Sequence, residues 1–544
     1  MLTKAACWDR MLILMLLLAA LLRITLLIWA STHGAVIDNE GAEYARIAQN
    51  LRSSHTYMGM FNNGTQLNFP PLFPLLIAAL SFVLPSTELA ARVVNVTLGT
   101  ALVVPLFKLA ERMYNRKVAC MVAVMAALHP LLIARSVSTY SENPYLTFVM
   151  FGVYYVIRWV EEQRFETCIL AGVFFGLAYL TRVEAFLLVG AMALVGLASA
   201  LFIQNRRTVL IGVLCLVGVF AVTASPYVVF LSIRSGKFRI QGKLNYAWGS
   251  QVKAGMTHTE AISRIGDDLS DQGVFMKSNY EALNSTSYTF RDLISLTLST
   301  APRNLKEIYK GIATSQSEGS PVLFLLAVIG LLGAPWDRRR VVNEGILLII
   351  GLTMVLTLLT VQSFWLRYFY SFMGLLVLWA SKGAEELYHW SHDTLASLPV
   401  PTKSPRLAGL AVQGMAIFLV IAVSLMAVPK EGDIVEETLT ERKMAGQWLA
   451  AYSSGPKWIM DISLLPAFYA GGKFTYLPYA SSDLALRYIA KKKPDFIVLE
   501  ESQKRARPYL TQWFDEGIPD QRAELTYDQG GAHHERIKIY RWRP

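Results

Sequence analysis

The chain has 544 residues, of which 53% are hydrophobic and only 17% charged, with a mean hydropathy of +0.38. That balance excludes an ordinary soluble globular protein and points to apolar surface facing lipid. The net charge of +11 does not indicate a nucleic-acid partner, because much of the basic excess lies in short loops between apolar runs, as positive-inside topology predicts.

In chain order, apolar runs of roughly 17–25 residues, the length that spans a bilayer, predict crossings near 11–30, 88–110, 118–134, 142–158, 166–180, 184–203, 208–232, 321–335, 343–361, 366–382 and 407–428. The first run, preceded by Lys4 and Arg10, has too long an apolar core for a cleaved signal and reads as an anchor. Cys7, Cys120, Cys168 and Cys215 lie in or beside such runs without C-x-x-C spacing, so they suggest neither a disulfide framework nor a zinc site. Lys108, Arg112, Arg116 and Lys117 share one loop; Arg158 and Arg164, Arg206 and Arg207, and Arg338, Arg339 and Arg340 mark three more. With these loops cytoplasmic, eleven crossings are self-consistent. The run 71-PLFPLLIAALSFVL-84 is then expected to lie in the interface or dip into the membrane.

This orientation leaves outside a first loop (31–87), short loops near 135–141 and 181–183, a long segment (234–320) and everything after about 430. The expected organisation is a polytopic helical domain over 1–430 and a soluble domain over 431–544 on the non-cytoplasmic side of a bacterial plasma membrane. In the tail, 457-KWIMDI-462, 474-FTYLP-478, 495-DFIVLE-500 and 536-RIKIYRW-542 read as strands, with helical patterns near 440–453 and 482–493. That alternation predicts a small α/β fold.

The first outer loop opens with 36-VIDNEGAEYARIAQNL-51, which holds Asp38, Glu40 and Glu43 within six residues. A helix is expected from about Glu40, with an apolar stripe of Tyr44, Ile47, Ala48 and Leu51. Asp38 is placed to cap it. The plain reading is an interfacial helix with solvated acids; the functional one is a carboxylate base facing a cavity. Glu43 is left to solvent or packing. A second acid, Glu142 in 135-RSVSTYSENPYLTF-148, starts a span, where the helix dipole alone favours a carboxylate. Arg182, Arg367 and Arg92 sit at the ends of apolar runs, and Arg23 lies inside the first. An arginine there is costly unless it is paired, reaches the interface or lines a wet cavity, and a guanidinium suits phosphate. The carboxylates suit either proton transfer to and from a reacting group or a divalent metal held through oxygen. No P-loop, no dinucleotide-binding glycine pattern in context and no HExxH occurs.

The ordered set 40-EGAEYARIAQNL-51, 69-FPPLFPLLIAAL-80, 88-ELAARVVNVTLG-99, 141-SENPYLTF-148, 180-LTRVEAF-186 and 366-LRYFY-370 resembles the bacterial members of glycosyltransferase family 39, relatives of protein O-mannosyltransferases and of the lipid A aminoarabinose transferase. The resemblance implies the GT-C fold, a polyprenyl-phosphate-linked sugar donor, and hexosyl or pentosyl transfer on the non-cytoplasmic face to a protein, lipid or envelope-glycan acceptor. It puts the first-loop acid on Glu40, favoured by its offset from Tyr44, with Asp38 the alternate, and the second-loop acid on Glu142. Arg182 and Arg367 match positions where the family often carries Arg; phosphate contact there, with Tyr368 and Arg92 beside them, is the expectation. The proline that commonly follows the late Arg-Tyr is Phe369 here. Two rivals are a secondary transporter, whose mark would be two similar halves with broken helices, and a scaffold with degenerate chemistry. No such internal repeat is visible in the sequence.

Overall fold

A computed structural model describes residues 2–61, 64–200, 206–242, 290–313, 321–333, 335–360, 366–397, 437–478, 480–530 and 535–543. The chain divides into two compact units. One comprises Met1–Trp29, Arg92–Pro226 and Leu293–Lys430, the other Ala30–Ala91, Tyr227–Asp292 and Glu431–Pro544.

The first unit is helical. Helix α1 (Leu2–Thr32) buries Met15, Ala19, Arg23 and Leu27, spaced four apart on one stripe, and exposes Leu14, Leu17, Leu21, Ile24 and Ile28. In the second unit, α2 (Asn39–Ser54) and α3 (Leu72–Leu80) form the first loop; α3, at nine residues, is too short to cross a bilayer. Helices α4 (Thr87–Ala101) and α5 (Val103–Met113) make one long apolar run. Helices α6 (Arg116–Leu128) and α7 (Pro130–Ser136) meet at a 51° bend. Pro130 explains it: the residue lacks the N–H that would continue α6. Helix α8 (Glu142–Glu162) is 21 residues long, about 30 Å at 1.5 Å per residue, and so matches the hydrocarbon thickness. It is followed by α9 (Phe165–Thr181), α10 (Ala185–Ser199), α11 (Arg206–Ser235) and α12 (Phe290–Ala313). Helices α13 (Pro321–Leu332) and α14 (Arg338–Thr360), a 3₁₀ helix (Leu366–Phe372) and α15 (Met373–Ser397) follow among the described residues of the unit. Helices α13 and α15 touch backbone to backbone: a Cβ on Gly330 would stand 1.8 Å from Trp379 O, and one on Gly383 2.0 Å from Leu326 O. Close approach through small residues is how helices associate in lipid.

The first ten expected crossings coincide with described helices; 407–428 lies outside the described residues. Four described helices are long and apolar enough to cross a membrane, five if the bent α6–α7 pair counts as one. Helices α9, α10 and α13 are apolar but shorter.

In the second unit, α16 (Glu437–Tyr452) precedes a five-stranded sheet of order β2-β1-β3-β5-β4. Its strands are β1 (Trp458–Asp461), β2 (Lys473–Tyr476), β3 (Phe496–Glu500), β4 (Ala523–Gly530) and β5 (Arg536–Trp542). Strands β1, β2 and β3 are parallel, while β5 runs antiparallel to both β3 and β4. Ile459, Phe496, Val498, Ile537 and Ile539 face one core, filled by Leu449 of α16 and by Ile37, Ala42, Ala45 and Met60 of the first loop. Met460, Ile497, Leu499 and Tyr540 face a second core with Tyr488 and Trp513, on α18 (Ser482–Lys492) and α19 (Leu510–Glu516); α17 (Leu465–Tyr469) links β1 to β2. The four expected strands and two expected helices are present. Strand β4 is additional; it is a largely exposed edge strand, so it carries little of the alternation that reveals a half-buried one.

Candidate functional site

Two groups of candidate residues emerge, one in each unit. In the helical unit Glu142 is the first residue of α8 and is buried. Its Oε1 accepts a hydrogen bond from Arg182 Nη1 at 3.0 Å. Its Oε2 has no hydrogen-bond partner among the described residues. Arg182 follows α9 in extended backbone, which turns its side chain off the helix axis and toward α8. It also reaches Glu184 at 3.4 Å. The Arg182 guanidinium lies 5.5 Å from the Tyr368 ring centre and 5.9 Å from that of Tyr145. Arg367 lies 4.2 Å from the Tyr140 ring centre and 5.5 Å from that of Tyr368. Two guanidiniums thus approach one ring, beside a carboxylate one of whose oxygens accepts no hydrogen bond among the described residues. Such a set can hold an anionic oxygen group through the guanidiniums and a hydroxyl through the carboxylate.

A buried polar chain holds these pieces. Arg23 of α1 donates to Ser136 Oγ (3.0 Å), Ala126 O (3.0 Å) and Ala127 O (3.4 Å). Ala126 O is the acceptor that the N–H of a residue at position 130 would satisfy in a continuous helix; Arg23 supplies what Pro130 cannot. Ser136 Oγ lies 3.4 Å from Asn143 Nδ2, and Asn143 Oδ1 accepts from the Tyr370 hydroxyl. Asn95 of α4 donates to Ser138 O and Tyr140 O, both at 2.8 Å. The network therefore secures α7, the start of α8 and the 3₁₀ helix that carries Arg367 and Tyr368. Arg92 is buried on α4.

In the second unit Asp38 caps α2, its Oδ1 accepting from Gly41 N at 2.8 Å. Glu40 is half-buried in the first turn and accepts from the Tyr44 hydroxyl at 3.1 Å, one helical turn on. The Tyr44 ring is locked edge-on between Phe69 (4.9 Å) and Phe73 (5.0 Å), so the motifs 40-EGAEY-44 and 69-FPPLF-73 meet. Asn39 Oδ1 accepts from Leu464 N (2.8 Å) and Ser463 Oγ (3.2 Å) at the end of β1. Arg46 donates to Ala467 O and Phe468 O, both at 3.4 Å. The start of α2 is therefore seated on the sheet domain. Glu43 is fully buried and accepts from Met60 N (2.6 Å), Phe61 N (3.2 Å) and Gln66 Nε2 (2.5 Å). Desolvation outweighs these donors and lifts its carboxyl to about 7.

Among the described residues no group of three or more His, Cys, Asp or Glu side chains is placed to hold a metal ion. The sequence reading passed over Asn143, Tyr140, Tyr145 and Tyr370. Asn143 was accessible in principle, since a buried amide beside an acid at a membrane-helix start is itself expensive. The tyrosines contribute only through tertiary contact.

Residues 68–225 match the family model for dolichyl-phosphate-mannose-protein mannosyltransferase. Comparison with curated protein sequences gave no match. Among solved structures, the archaeal oligosaccharyltransferase AglB from Archaeoglobus fulgidus, in complex with an inhibitory peptide and a dolichol-phosphate, superposes with a TM-score of 0.58 at 13% identity, over 98% of this chain and 74% of that one. ArnT from Cupriavidus metallidurans bound to undecaprenyl phosphate gives 0.54 at 11%, over 99% and 98%. The mycobacterial arabinofuranosyltransferase AftD gives 0.51 at 15%, over 98% and 41%. The chain thus has the GT-C fold of these structures, mainly helical with a small C-terminal sheet domain, and its residues 68–225 carry the mannosyltransferase-type family match.

Proposed function

We propose that the protein transfers a sugar from a polyprenyl-phosphate-linked donor to a hydroxyl or amine acceptor on the non-cytoplasmic face of the membrane. The observation that carries this reading is the grouping of Glu142, Arg182, Tyr368 and Arg367 where α8 begins. An anionic lipid head group needs fixed cations at a membrane boundary, and arginines held by a carboxylate and aromatic rings supply them without titrating. The comparisons support a lipid phosphate, since two of the similar structures hold dolichol-phosphate and undecaprenyl phosphate.

The reaction is an inverting displacement. The acceptor oxygen or nitrogen attacks the anomeric carbon, the carbon–oxygen bond to phosphate breaks, and its electron pair leaves on polyprenyl phosphate. Arg182 and Arg367 stabilise the developing phosphate charge, and a carboxylate takes the acceptor proton, the role that the sequence resemblance gives to Glu40. Asp38, already engaged as a helix cap, is the secondary candidate for that role. Glu142 orients Arg182 and offers Oε2 to a donor hydroxyl.

The test is release of polyprenyl phosphate from labelled polyprenyl-phosphate sugars by purified protein given candidate acceptors. Arg182→Gln should cut kcat/KM by about 10²-fold or more, in the range seen for loss of an electrostatic stabiliser. Unchanged kcat/KM in both Arg182→Gln and Arg367→Gln would remove the phosphate assignment.

A further inference from the structure

We propose that the opposite end of the helical unit holds a binding site for an anionic phospholipid head group. Lys108 and Arg112 of α5, Tyr154 and Arg158 of α8, and Arg339 of α14 line, with Glu111, a cavity of about 510 Å³, within the usual size of ligand pockets. Helix α8 carries Glu142 in its first turn and Arg158, Glu161 and Glu162 toward its far end. About 30 Å of helix separates this cavity from the Glu142 group, so it is not part of the proposed donor site.

The cavity is built as well as charged. Glu161 accepts from Arg339 Nε (2.6 Å), Arg339 Nη2 (3.0 Å), Asn343 Nδ2 (2.9 Å) and Arg112. Glu162 pairs with Arg112 (2.5 Å) and Arg158 (2.9 Å). Glu111 pairs with Lys108 (3.3 Å) and Arg116 (2.7 Å). In this network five cations meet three carboxylates, so the carboxylates fix the cations in place without neutralising them. Lys108 and Arg339 keep 36% and 56% of their side chains exposed, leaving donors for an incoming phosphate.

Two features favour a lipid over a free anion. Arg158 lies over the rings of Tyr154 (5.7 Å) and Tyr155 (5.9 Å), and tyrosine is the residue of the membrane–water boundary. On α14, Val341 and Val342 come one residue after Arg339, beyond the buried Arg340, and are exposed, an apolar surface for acyl chain near a phosphate-binding cation. Basic pockets between membrane helices recognise lipid head groups by this combination.

The experiment compares retention of phosphatidylglycerol and phosphatidylcholine on the purified full-length protein by native mass spectrometry, with melting temperature followed in the same detergent. Phosphatidylglycerol should be retained preferentially and raise the melting temperature, and added salt should weaken both effects. The Lys108→Gln, Arg339→Gln double variant should retain at least threefold less, with its lipid-free melting temperature unchanged; if the double variant does not fold, Lys108→Gln alone is read for a smaller loss in the same direction. Equal retention of the two lipids, or undiminished retention in the variants, overturns the proposal. So does an equal thermal shift with inorganic phosphate, or a loss of polyprenyl phosphate retention in the double variant as large as its loss of phosphatidylglycerol.

Discussion

Asp38, Glu40 and Glu43 fall within six residues and do three different things. Asp38 caps α2, Glu40 is aimed by Tyr44, and Glu43 gathers three N–H donors in the interior. The difference is testable by conservative substitution. Asparagine caps helices as well as aspartate, so Asp38→Asn should leave both stability and kcat near wild type. Glu40→Gln should lower kcat by about 10²–10⁴-fold, the usual weight of a general base. Tyr44→Phe keeps the ring between Phe69 and Phe73 and should lower kcat with little change in melting temperature. Full activity in the Asp38→Asn, Glu40→Gln double variant would exclude both as the base. Glu43 cannot be exchanged so cheaply. Gly59 packs so closely that a Cβ there would lie 1.7 Å from Glu43 Oε1, and Glu43→Ala would strand buried donors at about 1–3 kcal/mol. Burial also sets a pH dependence. Desolvation raises Glu43 and, in the sheet domain, Glu500 from 4.5 to about 7. Between those values these two groups hold more protons in the folded chain than in the unfolded one, so their contribution to stability is fully present below about 4.5 and is lost as pH rises through about 7. Melting curves at pH 5 and pH 8 should show the decline, and Glu500→Gln should reduce it.

At the scale of elements, the bent α6–α7 pair is the part of the helical unit whose geometry depends on one distant side chain. Pro130 opens the helix, and Arg23, more than a hundred residues earlier, closes the gap and continues to Ser136. Arg23→Met should therefore leave Ala126 O unsatisfied in an apolar interior and lower both stability and kcat. Arg23→Lys, which keeps a donor but loses the fork, should restore part of each. Pro130→Ala tests the same device from the other side: by restoring the N–H it should straighten the pair, draw Ser136 from Asn143 and lower kcat by up to about 10²-fold, the cost of a misplacement of about 1 Å. Wild-type kinetics in both Arg23→Met and Pro130→Ala would show that the bend is irrelevant to the reaction. Arg23 was visible in the sequence only as a charge where none is expected; its partners lie in segments no local pattern connects to α1.

For the whole molecule, the proposed orientation places the sheet domain outside. A cysteine introduced at exposed Thr511 should react with a membrane-impermeant maleimide in intact spheroplasts, and reaction only after lysis would reverse the topology. Much of the architecture was legible because it follows local rules. Apolar runs mark membrane helices, short runs of β-branched, aromatic and other apolar residues mark β1, β2, β3 and β5, and Asp38 before an apolar stripe marks a capped helix start. The edge strand β4 and the short helices α17 and α19 were not, since exposure and brevity erase periodicity. Composition and order of motifs, then, determined the membrane class, the helical body with its α/β tail, and the candidate acids and arginines one by one. Only the tertiary structure decided that Glu142, Arg182, Tyr368 and Arg367 lie together, that Glu43 is a buried anchor, and that Arg23 serves the bend at Pro130. The reason is physical: the cost of a charge in an apolar setting is set by its partners, and those partners come from distant segments that meet only when the chain is folded.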